Sequence, residues 1–292
     1  MSQFADYTVA SVDHDATRIP IGAGTILSCF ARTDVPSGEQ TVLEAGCGTG
    51  NYLQALQPQL GSLYGIDFSE GMLAQARAKL GEDVELTSGS ILEMPYEDGK
   101  FDGITCNQVL HHLDEGPGAA DDPAAWKASR SPNVTRFIEE AYRVLKPGGA
   151  LVLNTPTHEQ LRDGYWWTDL IPIAMARVNC RTPDLDRLTQ ILAAAGFEIE
   201  LIEPDLDGIL QGDSYLHPTG PLNEAWRAGD STWSLATDAE LTAAQERVER
   251  MNLDGTMHAW LEAREEKRRS LGQSTFICGR KERAWSERQS LQ

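Results

Sequence analysis

Basic residues are scarce in this chain: 25 Lys and Arg stand against 44 Asp and Glu over 292 residues, a formal charge of −19 at pH 7. An acid excess of that size repels phosphate backbones, so no nucleic-acid partner is expected. Long apolar runs are also missing. The stretch from Ile171 to Val178 falls well short of the ~20 residues that a membrane span needs. The opening MSQFADYTVA has no basic stretch leading into an apolar one, as a secretory leader would. The expectation is a cytoplasmic protein without a membrane partner. Five cysteines, Cys29, Cys47, Cys106, Cys180 and Cys278, are odd in number, far apart and without a CxxC pair, which argues for buried free thiols over zinc, an iron–sulfur cluster or a redox centre. No His, Asp and Glu cluster has ligand spacing on one face, so no metal is predicted. With 41% hydrophobic residues, 26 Gly and 14 Pro, neither a disordered tract nor a collagen-like repeat describes the chain.

What is present is alternation. Strand signals at residues 41–45, 62–66, 84–87, 101–106, 150–154, 197–202 and 276–278 are interleaved with helical ones at 51–60, 72–80, 137–145 and 185–195. That order predicts an α/β fold with a Rossmann-like, seven-stranded, mostly parallel sheet and helices on both faces. Ser69 is a plausible N-cap for the helix that follows it, and Pro147-Gly148-Gly149 a stop for the one before the fifth strand. Two stretches break the rhythm. Residues 114–135 are rich in Gly, Pro, Ala and Ser, and a loop that long is usually a functional lid or disordered. Residues 204–272 begin broken by Pro and Gly and continue as a helical segment over about 238–269 with charges at i, i+4 spacing, the pattern of a mainly helical cap. The expected division is an N-terminal lid and first helix over 1–40, a core over 41–203, the cap over 204–272, the final core strand over 273–281 and a fraying tail over 282–292.

The first strand runs into Gly46-Cys47-Gly48-Thr49-Gly50, which allows a tight turn and close approach of a ligand to the backbone. A dinucleotide fingerprint needs its third glycine at 51, where Asn51 stands, so the spacing disfavours NAD. Asp67 closes the next strand, where a carboxylate can accept both hydroxyls of a ribose. With LEAGCGTG, GIDFSEGML, SGSILEMPYEDGKFDGITCNQVLHHL and RVLKPGGALVL in order over residues 42–153, the chain resembles the class I S-adenosylmethionine-dependent methyltransferases.

The resemblance implies S-adenosyl-L-methionine as cofactor. It places Glu44 under the methionine end, Gly46, Gly48 and Gly50 in the supporting loop, Asp67 on the ribose, Phe68 and Met72 against the adenine, and Asn107 near the methionine moiety. Ser90 and Ile91 stand where the family commonly has an Asp followed by a small or apolar residue. The missing acid weakens the expected contact to the adenine amino group, since a neutral hydrogen bond is worth roughly half a charge-assisted one.

A sulfonium methyl is already electrophilic, so catalysis asks mainly for alignment of the acceptor and exclusion of water. His111 and His112 follow Asn107 within a helical turn and are the candidates for a general base or acceptor-orienting group. Tyr7 and His14 are candidate lid residues toward the substrate, and Arg18 a partner for the methionine carboxylate. All seven tryptophans lie outside residues 42–106. Tyr165, Trp166 and Trp167 follow the fifth strand at the edge where acceptors bind, and suit either a pocket wall or the cap's own core. The acidic charge and the cap favour a small-molecule acceptor. The alternatives are a methyltransferase for protein or RNA, for which neither a basic groove nor an Asn-Pro-Pro-Tyr motif is present, and a non-catalytic S-adenosylmethionine-binding regulatory protein.

Overall fold

A computed structural model describes residues 18–114 and 131–283. In chain order the core begins with α1 (Ala23–Phe30), β1 (Thr41–Ala45), α2 (Asn51–Leu56), β2 (Ser62–Asp67), α3 (Glu70–Leu80), β3 (Val84–Ser88) and β4 (Phe101–Asn107). Then come α4 (Pro132–Val144), β5 (Leu145–Thr155), α5 (His158–Asp163), α6 (Pro172–Arg181), α7 (Leu185–Ala194) and β6 (Phe197–Asp205). The chain continues through α8 (Glu224–Ala228), α9 (Asp238–Leu253) and α10 (Met257–Leu271) to β7 (Ser274–Lys281). The seven strands form one sheet in the order β3-β2-β1-β4-β5-β7-β6. β7 is antiparallel to both its neighbours and the remaining pairings are parallel, as the alternation predicts.

Each face of the sheet has its own core. Phe137, Ile138, Leu188 and Ile191 of α4 and α7 pack on one side. On the other side lie Ile26 and Phe30 of α1, Leu53 and Leu56 of α2, and Leu73 and Ala76 of α3. Every residue of β4 is buried, as a central strand covered on both faces must be. A third cluster lies over the chain that follows β5: Trp166, Trp167, Ile171 and Val178 pack with Tyr215, Trp226, Trp233 and Val248. The cap therefore draws on the segment after β5 as well as on residues beyond β6.

Four expected boundaries are corrected. α4 starts at Pro132, inside the expected 114–135 loop, because the Asp114 carboxylate accepts from Asn133 N at 3.0 Å and Val134 N at 3.3 Å; residues 115–130 lie outside the described part. β5 starts at Leu145 and not at 150, since Leu145 pairs with Phe101 ahead of an irregularity in the register; Pro147-Gly148-Gly149 thus lie within the strand, and α4 has already ended at Val144. The long cap helix is two helices. Gly255, at φ 77°, and the Asp254 side chain accepting from Thr256 N at 3.0 Å make the break. Finally, α5 and α6 occupy a segment for which no helix is expected. Thr157 starts α5 with a reciprocal capping box to Gln160, and Pro172 opens α6.

Candidate functional site

Parallel pairing of β1 with β2 sets Ala45 beside Ile66, and both Gly46 N and Cys47 N donate to Ile66 O, at 2.8 and 3.1 Å. The turn after β1 is thereby tied to the end of β2. Gly46 has φ 75°, and a Cβ there would meet Val109 Cγ2 at 2.6 Å, so the position has neither the conformation nor the room for a side chain. Gly48, at φ 51°, faces open space: a Cβ would meet nothing within 4 Å. Asp67 spans this opening. Its Oδ2 accepts from Gly48 N and its Oδ1 from Ser69 N, both at 2.9 Å. Burial pushes the Asp67 carboxyl above its usual range, and backbone donors, including these two, oppose the shift. Each oxygen keeps lone pairs beyond these single bonds.

Phe68, beside Asp67, is 60% exposed, unusual for a phenylalanine. Met72 is buried, its backbone N bonded to Ser69 Oγ at 3.4 Å. Ser90 is exposed and its Oγ accepts from Leu92 N at 3.2 Å, while Ile91 is buried.

At the floor, Glu44 is buried on β1. Asn107 Nδ2 donates to its Oε1 at 3.1 Å, and Oε2 has no partner among the described residues. Burial pushes the Glu44 carboxyl up to about 8, against the Asn107 bond that lowers it. Thr105 Oγ1 donates to Asn107 Oδ1 at 3.2 Å, so Asn107 serves to orient Glu44. Just beyond β4, Gln108 adopts φ 58°, held by Gln108 N to Asn154 O at 2.8 Å and Gln108 Nε2 to Asn154 Oδ1 at 3.1 Å. Asn154 Nδ2 in turn donates to Tyr52 Oη at 2.9 Å. A non-glycine residue in the left-handed region is strain of the kind that collects at functional sites. No motif marks these three residues in the sequence.

His111 and His112 lie on a 3-10 turn over Leu110–His112, with ring centroids 4.0 Å apart. His111 is buried and its Nδ1 has no partner among the described residues. Burial pushes it down to about 4; Asp230 opposes this, while Arg18 and Arg181 reinforce it. The ring is neutral at pH 7. Arg18, expected at the methionine carboxylate, instead donates from Nε to Gly229 O at 3.0 Å and from Nη2 to Asp230 Oδ2 at 3.1 Å. Its carbonyl accepts from Asn51 Nδ2 at 3.0 Å. Arg18 thus joins the start of α2 to the cap.

Tyr165, Trp166 and Trp167 are all within the cap core. Trp166 N donates to Tyr215 Oη at 2.9 Å, its Nε1 to Tyr215 O at 2.6 Å, and Tyr165 Oη to Gln273 O at 3.1 Å. Those partners make Tyr165 and Trp166 supports of the cap. Trp167 lies against Trp233, 5.4 Å between ring centroids, with the ring planes tilted by 45°. Tyr7 and His14 lie outside the described residues. Asp230 and Trp233, which approach His111 and Trp167, have no signature in the sequence beyond an isolated acid and an isolated aromatic. Among the described residues no group of three or more His, Cys, Asp or Glu could hold a metal ion.

Residues 43–153 match the family described as methyltransferase domain. A candidate S-adenosylmethionine-dependent methyltransferase from Mycolicibacterium smegmatis is 30% identical over 171 residues, 59% of this chain and 55% of that protein. A demethylmenaquinone methyltransferase from Oceanobacillus iheyensis is 32% identical over 146 residues, 47% of this chain and 53% of the other. The chain spans about half the length of these curated relatives. Among solved structures, a candidate methyltransferase from an antibiotic biosynthesis pathway of Anabaena variabilis has a TM-score of 0.66 at 21% identity, covering 90% of this chain and 99% of that one. The [4+2]-cyclase SpnF has a TM-score of 0.54 at 19% identity, covering 95% and 94%. These structural likenesses establish the fold, which hosts more than one chemistry.

Proposed function

We propose that this chain, which belongs to the class I S-adenosylmethionine-dependent methyltransferases, moves a methyl group to a small-molecule acceptor by in-line displacement. The family's cofactor is S-adenosyl-L-methionine, which supplies an electrophilic methyl on a sulfonium sulfur when bound. The observation that carries the reading is the opening beside Gly48: a glycine with nothing in front of it, an Asp67 carboxylate fixed across it, and an exposed Phe68 alongside. Asp67 is suited to a ribose, Phe68 to the adenine, and the unpartnered Glu44 Oε2 to the cationic methionine end. Ser90 leaves the adenine amino group a neutral partner only.

The charge of −19 and the cap beyond β5 and β6 support a small acceptor over a nucleic acid. Demethylmenaquinone methyltransferases among the relatives point the same way. Among the described residues no helix is long and apolar enough to cross a membrane. A cytoplasmic location, and the division into lid, core and cap, belong to this proposal.

Calorimetry with S-adenosylmethionine tests the site. Asp67→Ala is expected to weaken binding by at least ~1.5 kcal/mol, about tenfold or more, with folding retained, because it deletes a charge-assisted acceptor. Unchanged affinity would refute the assignment. A labelled-methyl assay on a metabolite extract, set against protein and RNA fractions of the same cells, then decides the acceptor class; label in protein or RNA alone overturns the small-molecule reading.

A further inference from the structure

Helix α1 packs against β7, and the contact is fixed at both ends of the helix. A Cβ on Gly22, just ahead of α1, would run into the Phe276 ring. At the other end Arg280 Nη2 donates to Cys29 O at 3.4 Å. Cys278 stands between Phe276 and Arg280 on alternate positions of β7 and so shares their face of the sheet. Cys29 and Cys278 are both fully buried in one apolar cluster, and their thiols lie within hydrogen-bond reach of each other. Far apart in the sequence, the two cysteines meet because α1 docks on the last strand of the chain.

Arg280 also holds Glu200 of β6 in a two-pronged ion pair, Nε to Oε1 at 2.9 Å and Nη2 to Oε2 at 2.6 Å. Cys278 Sγ donates to Glu200 Oε2 at 4.0 Å. β6 ends the sheet and the Glu200 side chain is 27% exposed, so the thiol pair lies one side chain from solvent. The two thiols are unequal. The Cys278 contact holds the Cys29 thiol below its usual range; burial and Glu200 oppose this, while the Arg32 and Arg280 guanidinium groups reinforce it. The Cys278 thiol is pushed up by the same contact and by burial. A thiolate beside cations is the reactive form of cysteine. Burial pushes Cys47, Cys106 and Cys180 up, so those three are held as thiols.

We propose that Cys29 and Cys278 are an oxidation site, a dithiol that a small peroxide, hydrogen peroxide, closes to a disulfide joining α1 to β7. The Cys29 thiolate attacks one peroxide oxygen, the O–O bond breaks, and the departing hydroxide takes up the proton that Cys29 gave to solvent, leaving water and a sulfenic acid on Cys29. The Cys278 sulfur then attacks the Cys29 sulfur. The S–O bond breaks, the S–S bond forms, and the leaving hydroxide combines with the Cys278 proton as a second water. The two sulfurs supply the two electrons that reduce the peroxide. A bond between α1 and the last strand closes most of the chain into one loop, which restricts the unfolded state and stabilises the fold. The inference is independent of the methyltransferase reading.

The test treats the reduced, folded full chain with hydrogen peroxide and reads thiols and masses. The protein is expected to lose two of its five thiols and two hydrogens in mass, with the Cys29 and Cys278 peptides joined in a digest made without reductant. Cys29 should react at least about tenfold faster than Cys47, Cys106 or Cys180. Cys278→Ser should leave a sulfenic acid on Cys29 that the diketone dimedone traps, and Cys29→Ser should leave Cys278 a thiol. The urea midpoint of the oxidised protein should lie above that of the reduced one and return with dithiothreitol. Five thiols surviving peroxide in the folded protein, a disulfide to any other cysteine, or dimedone spread evenly over the cysteines would overturn the proposal. If the serine variants do not fold, the digest of the unaltered protein decides alone.

Discussion

Trp166→Ala is expected to lower the unfolding free energy by about 3–5 kcal/mol, the range for emptying a fully buried tryptophan site, and to lower the urea midpoint accordingly. The ring is fully buried and lies 6.0 Å from Trp226 in the cap cluster. Removing it also leaves Tyr215 O without the indole bond of 2.6 Å, and an orphaned buried carbonyl adds to the cost. The main-chain Trp166 O, which the substitution keeps, accepts from Trp260 Nε1 at 3.1 Å, so this tie to α10 is retained. The S-adenosylmethionine dissociation constant of whatever protein remains folded should stay within about threefold, under ~0.7 kcal/mol, since the proposed cofactor opening is built from β1, β2 and their turns. A Trp166→Ala protein that melts like the unaltered one and differs only in the Michaelis constant for the acceptor would show that the ring faces ligand.

S-adenosylmethionine binding should strengthen with pH, by up to about tenfold per unit on the acid side of pH 8, with release of up to one proton. The sign follows from Glu44. Its carboxyl is held at about 8 in the free protein by burial, so at pH 7 it is mostly protonated, and a cationic methionine end beside Oε2 favours the carboxylate. Binding then expels the proton, and affinity rises until the free protein has lost it unaided. Calorimetry at pH 7 in two buffers of different ionisation enthalpy reads the proton directly, and Glu44→Gln should abolish both the release and the pH slope. A flat profile between pH 6 and 8 in the unaltered protein would place the cofactor's charge away from Glu44. The same shift has the opposite effect on the free fold. A raised carboxyl stabilises below its unfolded value of 4.5, and that contribution fades as pH rises through 8, by a few kcal/mol. Ligand-free protein should therefore lose stability toward pH 8 while cofactor binding gains.

His111 and His112 show how far residue type alone carries. Their position after β4 is set by a short stretch of sequence, and the structure places both on the turn over Leu110–His112. Which of them is buried is a matter of packing; burial keeps His111 neutral, and Arg18 and Arg181, arriving from elsewhere in the chain, reinforce that. Tyr165 and Trp166 carry the same lesson. They read as wall or core, with core the favoured reading, and Tyr215, 49 residues from Trp166, claims two of the latter's hydrogen bonds.

The sequence by itself determined the alternation of strands and helices in the first half of the chain, the glycine turn after β1 and the acid that ends β2. Each is a local event: a buried strand reads as an apolar run, a turn at positive φ needs glycine, and the acid sits one strand away in register. Only the tertiary structure decided the start of β5, where Leu145 joins Phe101, the strained Gln108 held by Asn154, and the union of two cap segments in one apolar cluster. It alone brought Arg18 to Asp230, 212 positions away. The physical reason is reach. Periodicity and turn chemistry act over a few residues, whereas an ion pair such as Arg18–Asp230 takes its meaning from a partner that only the packed chain brings near.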